Sequence, residues 1–189
     1  MKARIGIIGG TGVYDPKMFE LKETVRPHTP YGAASDEIQV GELKGVPVAF
    51  LPRHGRGHVI PPHMINYRAN IYALKQIGVE RIISPCAVGS LQEEFKPGEI
   101  VLVDQFIDFT KSRKYTFFDG PKRAFISGQK GSAAPMCTVF GPEMNALFAK
   151  EAKKSKVPVH DGGTYVCIEG PRSSTRAESR LYRAFADVI

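Results

Sequence analysis

Three short stretches hold residue types suited to gripping a small anion. In "RIGIIGGTG" the apolar run Ile5, Ile7 and Ile8 breaks into Gly9 and Gly10, then Thr11 and Gly12. Glycine reaches backbone conformations that other residues avoid, so such a turn can aim several N–H groups at one anion, with the Thr11 hydroxyl as a further donor. Phosphate suits this chemistry, and a tight turn holding no ligand is an equal alternative on this stretch alone. Two phosphate-loop patterns fail. The dinucleotide fingerprint needs a third glycine where Asp15 stands, and no Gly-Lys-Ser/Thr follows.

The second stretch, "LPRHGRGH", delivers Arg53 and His54 at the end of an apolar run. A guanidinium matches two phosphate oxygens at once, and His54 could add a donor. The alternative is a polar surface loop. A metal reading of His54, His58 and His63 is weaker, because Pro61 and Pro62 break any helix there and no carboxylate stands among them. In the third stretch, "PCAVGS", small residues would let a ligand approach the amides of Cys86 and Ala87. Cys86 could instead be a nucleophile, but no partner base is identifiable, and a small buried thiol is the commoner explanation. Three strand ends of this kind suggest one shared pocket, where open α/β sheets usually bind ligands.

The elements that must position these loops follow from periodicity. "EIQVGELKGVPVAFL" alternates about Lys44-Gly45 as a two-residue hairpin does. "PPHMINYRANIYALKQIG" predicts a helix with Ile65, Ala69, Tyr72 and Ala73 on one face, prolines near its start and Gly78 at its stop. "VERIIS" and "EIVLVDQFID" predict two strands, the second the longer, and residues 111 to 141 look irregular. "PEMNALFAKEAKK" predicts an amphipathic helix facing inward through Met144, Leu147, Phe148 and Ala152. "GGTYVCIEG" predicts a strand. A last helix opens with a capping box of Thr175 and Glu178 and is expected to bury Ala177, Leu181 and Phe185. The closing "ADVI" looks like half of a new strand. The class is therefore α/β, a single domain over residues 1–189 with a mixed β-sheet flanked by helices. The last residues suggest that the chain lacks its C-terminal part.

Composition narrows the function classes. With 42% hydrophobic and 24% charged residues the chain is an ordinary globular protein rather than a disordered one. No apolar run approaches membrane-spanning length or forms a signal peptide, so a cytoplasmic protein with no membrane partner is expected. Cys86, Cys137 and Cys167 lack metal-ligand spacing and read as reduced thiols. The net charge of +7 could serve nucleic acid, a phosphate-bearing molecule or solubility. Lys150, Lys153, Lys154 and Lys156 close a predicted helix, where cations complement its dipole. No basic and aromatic interleaving marks a nucleic-acid surface, so that partner is ranked low.

With "IGIIGGTG", "PRHGRGH", "NYRANIYALK", "AVGSL", "DQFIDFTK", "YTFFDG" and "GTYVCIEGPRSSTRAESR" in order over nearly its whole length, the chain resembles the 5′-methylthioadenosine phosphorylase family. The related purine nucleoside phosphorylases come second. The resemblance implies a nucleoside phosphorylase-like fold and a pentosyltransferase. Its reaction would be phosphorolysis of S-methyl-5′-thioadenosine to adenine and 5-methylthioribose 1-phosphate, a step of purine and methionine salvage. It implies no metal or organic cofactor, with inorganic phosphate as co-substrate and a purine nucleoside as partner. Phosphate contacts fall by motif position on Thr11, Arg53, His54, Cys86 and Ala87. Ser174 stands where enzymes of 6-oxopurines place a glutamate, and so favours a 6-aminopurine. Ser173 reads more readily as a helix-capping hydroxyl.

Several positions depart from the family pattern. Cys86 replaces a threonine or serine, Ser173 replaces a phenylalanine that packs on the purine, and Phe125 replaces a histidine that reaches a neighbouring subunit's ribose. No catalytic residue is identified within the chain, and the acid that protonates the leaving base is expected beyond Ile189. The resemblance also implies a homotrimer. Two other readings stand beside it: a phosphorylase of inosine and guanosine, and a non-catalytic phosphate or nucleoside binder.

Overall fold

The computed structural model describes residues 2–10, 19–117 and 139–189. The expectations for Thr11, Phe125 and Cys137 lie outside them. The chain divides into two compact units, Met1–Ala87 with Arg113–Phe117, and Val88–Ser112 with Phe118–Ile189. Strands and helices alternate in an α/β architecture with mixed strand pairing.

The first unit is built on a five-stranded sheet of β1 (Ile5–Gly9), β2 (Phe19–Val25), β3 (Ile38–Leu43), β4 (Val46–Pro52) and β5 (Arg81–Ile83). Their order is β2-β3-β4-β1-β5. The β3–β4 hairpin turns at Lys44 and Gly45, whose φ values of 51° and 78° suit the right-handed twist of the paired strands. Strand β1 then runs parallel to both β4 and β5. Ile8, Val40, Ala49 and Leu51 of the sheet bury against Ala73 and Leu74 of α1 (Tyr67–Gln76). The predicted helix thus exists but starts later, since Pro62–Met64 form a single turn of 3₁₀ helix. Asn66 caps α1, its side chain accepting from the Ala69 N–H at 3.1 Å, and Gly78 at φ 94° ends it.

The second unit holds β6 (Ile100–Leu102), β7 (Gln105–Phe109), α2 (Pro142–Lys154), β8 (Val159–Asp161), β9 (Thr164–Ile168) and α3 (Arg176–Tyr182). The single strand expected over residues 99–108 is two. Strand β6 pairs in parallel with β8, and β7 with β9. The cause is a clasp between the breaks. The amides of Asp104 and Gln105 both donate to the Gly163 carbonyl, at 3.1 and 3.5 Å, and the Gly163 amide donates to the Asp104 carboxylate at 3.3 Å. Gly162 and Gly163, at φ 105° and 155°, carry the backbone from β8 to β9 through the same switch.

Helix α2 packs on β6 and β8 through Ala149, with Met144, Phe148 and Ala152 half-buried and Leu147 exposed. In α3 and the turn after it the expected burial is corrected: Ala177, Leu181 and Phe185 are exposed, and Tyr182 and Ala186 bury instead, against Leu91 and Val166. This helix has only seven residues, and the chain leaves it in a turn after Tyr182, so the buried face is fixed by that exit. The closing residues make isolated bridges and no further strand. Val188 bridges Ser90 and Tyr165, and the amide of Ile189 donates to the Gly89 carbonyl at 2.9 Å. Among the described residues no helix is long and apolar enough to cross a membrane.

Candidate functional site

Parallel pairing decides which loops meet. Because β4, β1 and β5 are parallel neighbours, with Gly9 opposite Pro52 and Ile7 opposite Ile83, their C-terminal ends share one edge of the sheet. The loops that leave that edge begin at Gly10, Arg53 and Ser84, and they carry or lead directly into the residues singled out by their chemistry in the three stretches. The Arg53 amide donates to the Gly9 carbonyl at 3.0 Å, continuing the β1–β4 ladder by one bond.

From that position the Arg53 side chain reaches the loop after β5, where Nη1 donates to the Pro85 carbonyl at 3.1 Å. The guanidinium lies against Gly10. A Cβ built there would stand 2.7 Å from Arg53 Nη2 and 3.0 Å from Cζ, closer than real side chains come. The bare backbone at Gly10 therefore lets an arginine lie across the strand end. Cys86 and Ala87 follow Pro85 directly and are exposed, so Cys86 is not a buried thiol. In this unit Arg53, His54, Cys86 and Ala87 stand at one sheet edge, at loops leaving β4 and β5.

His54 differs from Arg53 in being buried, with 8% of its surface exposed. Its Nδ1 lies 2.9 Å from the Ile60 carbonyl, and its Nε2 accepts from Arg53 Nε at 3.1 Å. The ring stacks on His58 at 4.2 Å. Burial chiefly holds its pKa below the usual histidine value; the Ile60 hydrogen bond opposes this, and the charges of Arg53 and His58 add to it. No group of three or more metal-ligating side chains is present among the described residues.

In the second unit, Ser174 Oγ is 2.8 Å from Ser179 Oγ in the loop entering α3. The cap of that helix is Thr175 and not Ser173: the Thr175 hydroxyl accepts from the Glu178 amide at 3.2 Å, and the Thr175 amide donates to Glu178 at 2.7 Å. Arg172 grips Glu178 with two bonds of 2.7 Å each. That pair first, then the Thr175 amide, lowers the Glu178 carboxyl to about 2.

A family model described as the phosphorylase superfamily matches residues 4–189. The chain belongs to that superfamily. The S-methyl-5′-thioadenosine phosphorylase of Pyrococcus horikoshii is 60% identical over 98% of this chain and 68% of that protein. That of Thermofilum pendens is 54% identical over 100% of this chain and 69% of its own. Among solved structures, methylthioadenosine phosphorylase from Schistosoma mansoni in complex with adenine aligns with a TM-score of 0.88 at 35% identity, over 99% of this chain and 73% of that one. A variant of the adenosine/methylthioadenosine phosphorylase in complex with methylthioadenosine aligns at 0.86 and 36%, over 99% and 70%.

In this phosphorylase-superfamily chain, several supporting residues were not evident from motifs. The Asp36 carboxylate accepts from the Arg56 amide at 2.5 Å and so ties down the loop that carries Arg53 and His54. Asn70 is buried in α1, where it accepts from the Ser35 amide at 2.8 Å and donates to the Ser35 hydroxyl at 2.9 Å. One sign of Asn70 was legible: a polar residue among the buried apolar positions of a helix must find a partner. Nothing in the sequence marks the Pro85 carbonyl.

Proposed function

We propose that this chain is a pentosyltransferase that phosphorolyses S-methyl-5′-thioadenosine, with inorganic phosphate as co-substrate and no metal or organic cofactor. The observation that carries the phosphate half is Arg53 laid over Gly10 at the shared end of three parallel strands, with the loop of Cys86 and Ala87 beside it. Thr11 follows Gly10 directly and belongs to the same proposal. The nucleoside half rests on relatives such as the S-methyl-5′-thioadenosine phosphorylase of Pyrococcus horikoshii, at 60% identity. Ser174 fits a 6-aminopurine, as a small neutral hydroxyl rather than a carboxylate.

In this reaction a phosphate oxygen bonds to the anomeric carbon as the glycosidic C–N bond breaks, and the electron pair leaves with the base, which takes up a proton. The protein's part at Arg53 is to hold the dianion in line and to keep its charge beside the developing oxocarbenium. A cytoplasmic homotrimer is the assembly proposed with this activity.

The test is adenine release from S-methyl-5′-thioadenosine by the purified protein, with and without phosphate, beside inosine as competitor. Phosphate-dependent release of adenine is expected. A preference for inosine would overturn the substrate, and phosphate binding with no release from either nucleoside would favour a binder over an enzyme.

A further inference from the structure

We infer that His54 is a positioning residue: a neutral imidazole, protonated on Nδ1, that holds the Arg53 guanidinium in place and acts on a bound anion only through it. This rests on the reading of Arg53 as the phosphate grip. A carbonyl oxygen can only accept, so the nitrogen 2.9 Å from the Ile60 carbonyl must carry a proton. Nε2 is then the lone-pair nitrogen, and Arg53 Nε–H points to it at 3.1 Å. Both ring nitrogens are thus committed inside the protein, and neither has a proton to offer an anion. An imidazolium would set an N–H and a positive charge against the guanidinium over that same distance, in a residue already buried.

The arrangement fits the rest of the loop. The Ile60 amide donates back to the His54 carbonyl at 2.9 Å, so residues 54 and 60 are cross-tied through main chain and ring. Arg53 is pinned twice, by Nε on His54 and by Nη1 on the Pro85 carbonyl, with Nη2 over Gly10. Fixing a long, flexible side chain before its ligand arrives removes an ordering cost from binding. A histidine that looks like a second phosphate donor in the sequence thus serves the first one.

The tautomer is read by long-range proton–nitrogen NMR of the full 189-residue chain at neutral pH. A proton on Nδ1 and a bare Nε2 are expected, and a proton on Nε2 overturns the inference without reference to any ligand. Titration with inorganic phosphate gives the second arm. His54→Ala should weaken binding by about tenfold, as expected for loss of one hydrogen bond to a charged group. His54→Gln, whose Oε1 can accept from Arg53 Nε, should retain most of the affinity. In an Arg53→Ala background, His54→Ala should cost nothing further. An equal loss with and without Arg53 means direct contact and overturns the inference. No phosphate binding by the unmodified chain defeats the phosphate reading instead, and the tautomer then decides this one alone.

Discussion

Helix α1 sets Ala69, Ala73 and Leu74 wholly beneath a five-stranded sheet, whereas α3 buries only Tyr182 of its seven residues and leaves Leu181 exposed, as is Phe185 in the turn that follows. The two helices are held by different physics. The first is held by apolar burial on a platform whose strand ends carry Arg53. The second is held at its N-terminus by a polar clasp of Arg172, Thr175 and Glu178, and Ser174 hangs from that end. The phosphate grip proposed for Arg53 needs fixed geometry, and burial in the first unit is what could fix it. A clasp on the surface is weaker and depends on the ionisation of its carboxylate.

That contrast can be broken at graded cost. Leu74→Ala in the α1 core should destabilise the protein most, by about 3 kcal/mol, read as a shift in denaturant midpoint. Arg53→Ala should weaken phosphate binding by about a hundredfold with the melting temperature nearly unchanged, because it removes a charged partner from a site and not from the core. Unchanged phosphate titration would remove Arg53 from the site.

Gly10→Ala should cost about tenfold in phosphate affinity with little loss of stability. The new Cβ displaces only the flexible end of Arg53. A large fall in melting temperature would mean instead that the turn itself needs glycine.

The clasp on α3 gives a smaller effect with a defined sign. Glu178 titrates at about 2 when folded, against an ordinary value of 4.5. A lowered folded pKa means that its stabilisation is fully present above roughly the ordinary value and is lost as pH falls through the folded one. NMR titration of Glu178 should show that displaced midpoint, and Arg172→Ala should return it towards the ordinary value. Smallest of all, Leu181→Ser should leave stability unchanged within about 0.5 kcal/mol, since the side chain it replaces is 59% exposed.

Much of the first unit was legible in residue order. The Lys44-Gly45 turn, Ala69 and Ala73 of the α1 stripe and the three strand ends need only short-range rules, because glycine conformations and apolar spacing act within a few residues. The split of residues 99–108 into β6 and β7 was not legible, since it is made by Gly162 and Gly163 far along the chain. Nor was the burial of α3. Ala177, Leu181 and Phe185 have helical spacing, yet spacing says only which residues share a face and not whether anything covers it.

By itself, the order of amino acids determined the α/β class, the turns and which side chains are candidates for holding an anion, because these follow from local conformational preference and chemistry. Only tertiary structure decided that Arg53 lies on Gly10, that the Pro85 carbonyl receives it and that His54 turns inward. Those facts depend on parallel strands distant in sequence ending at one edge, a geometry that long-range pairing alone can impose.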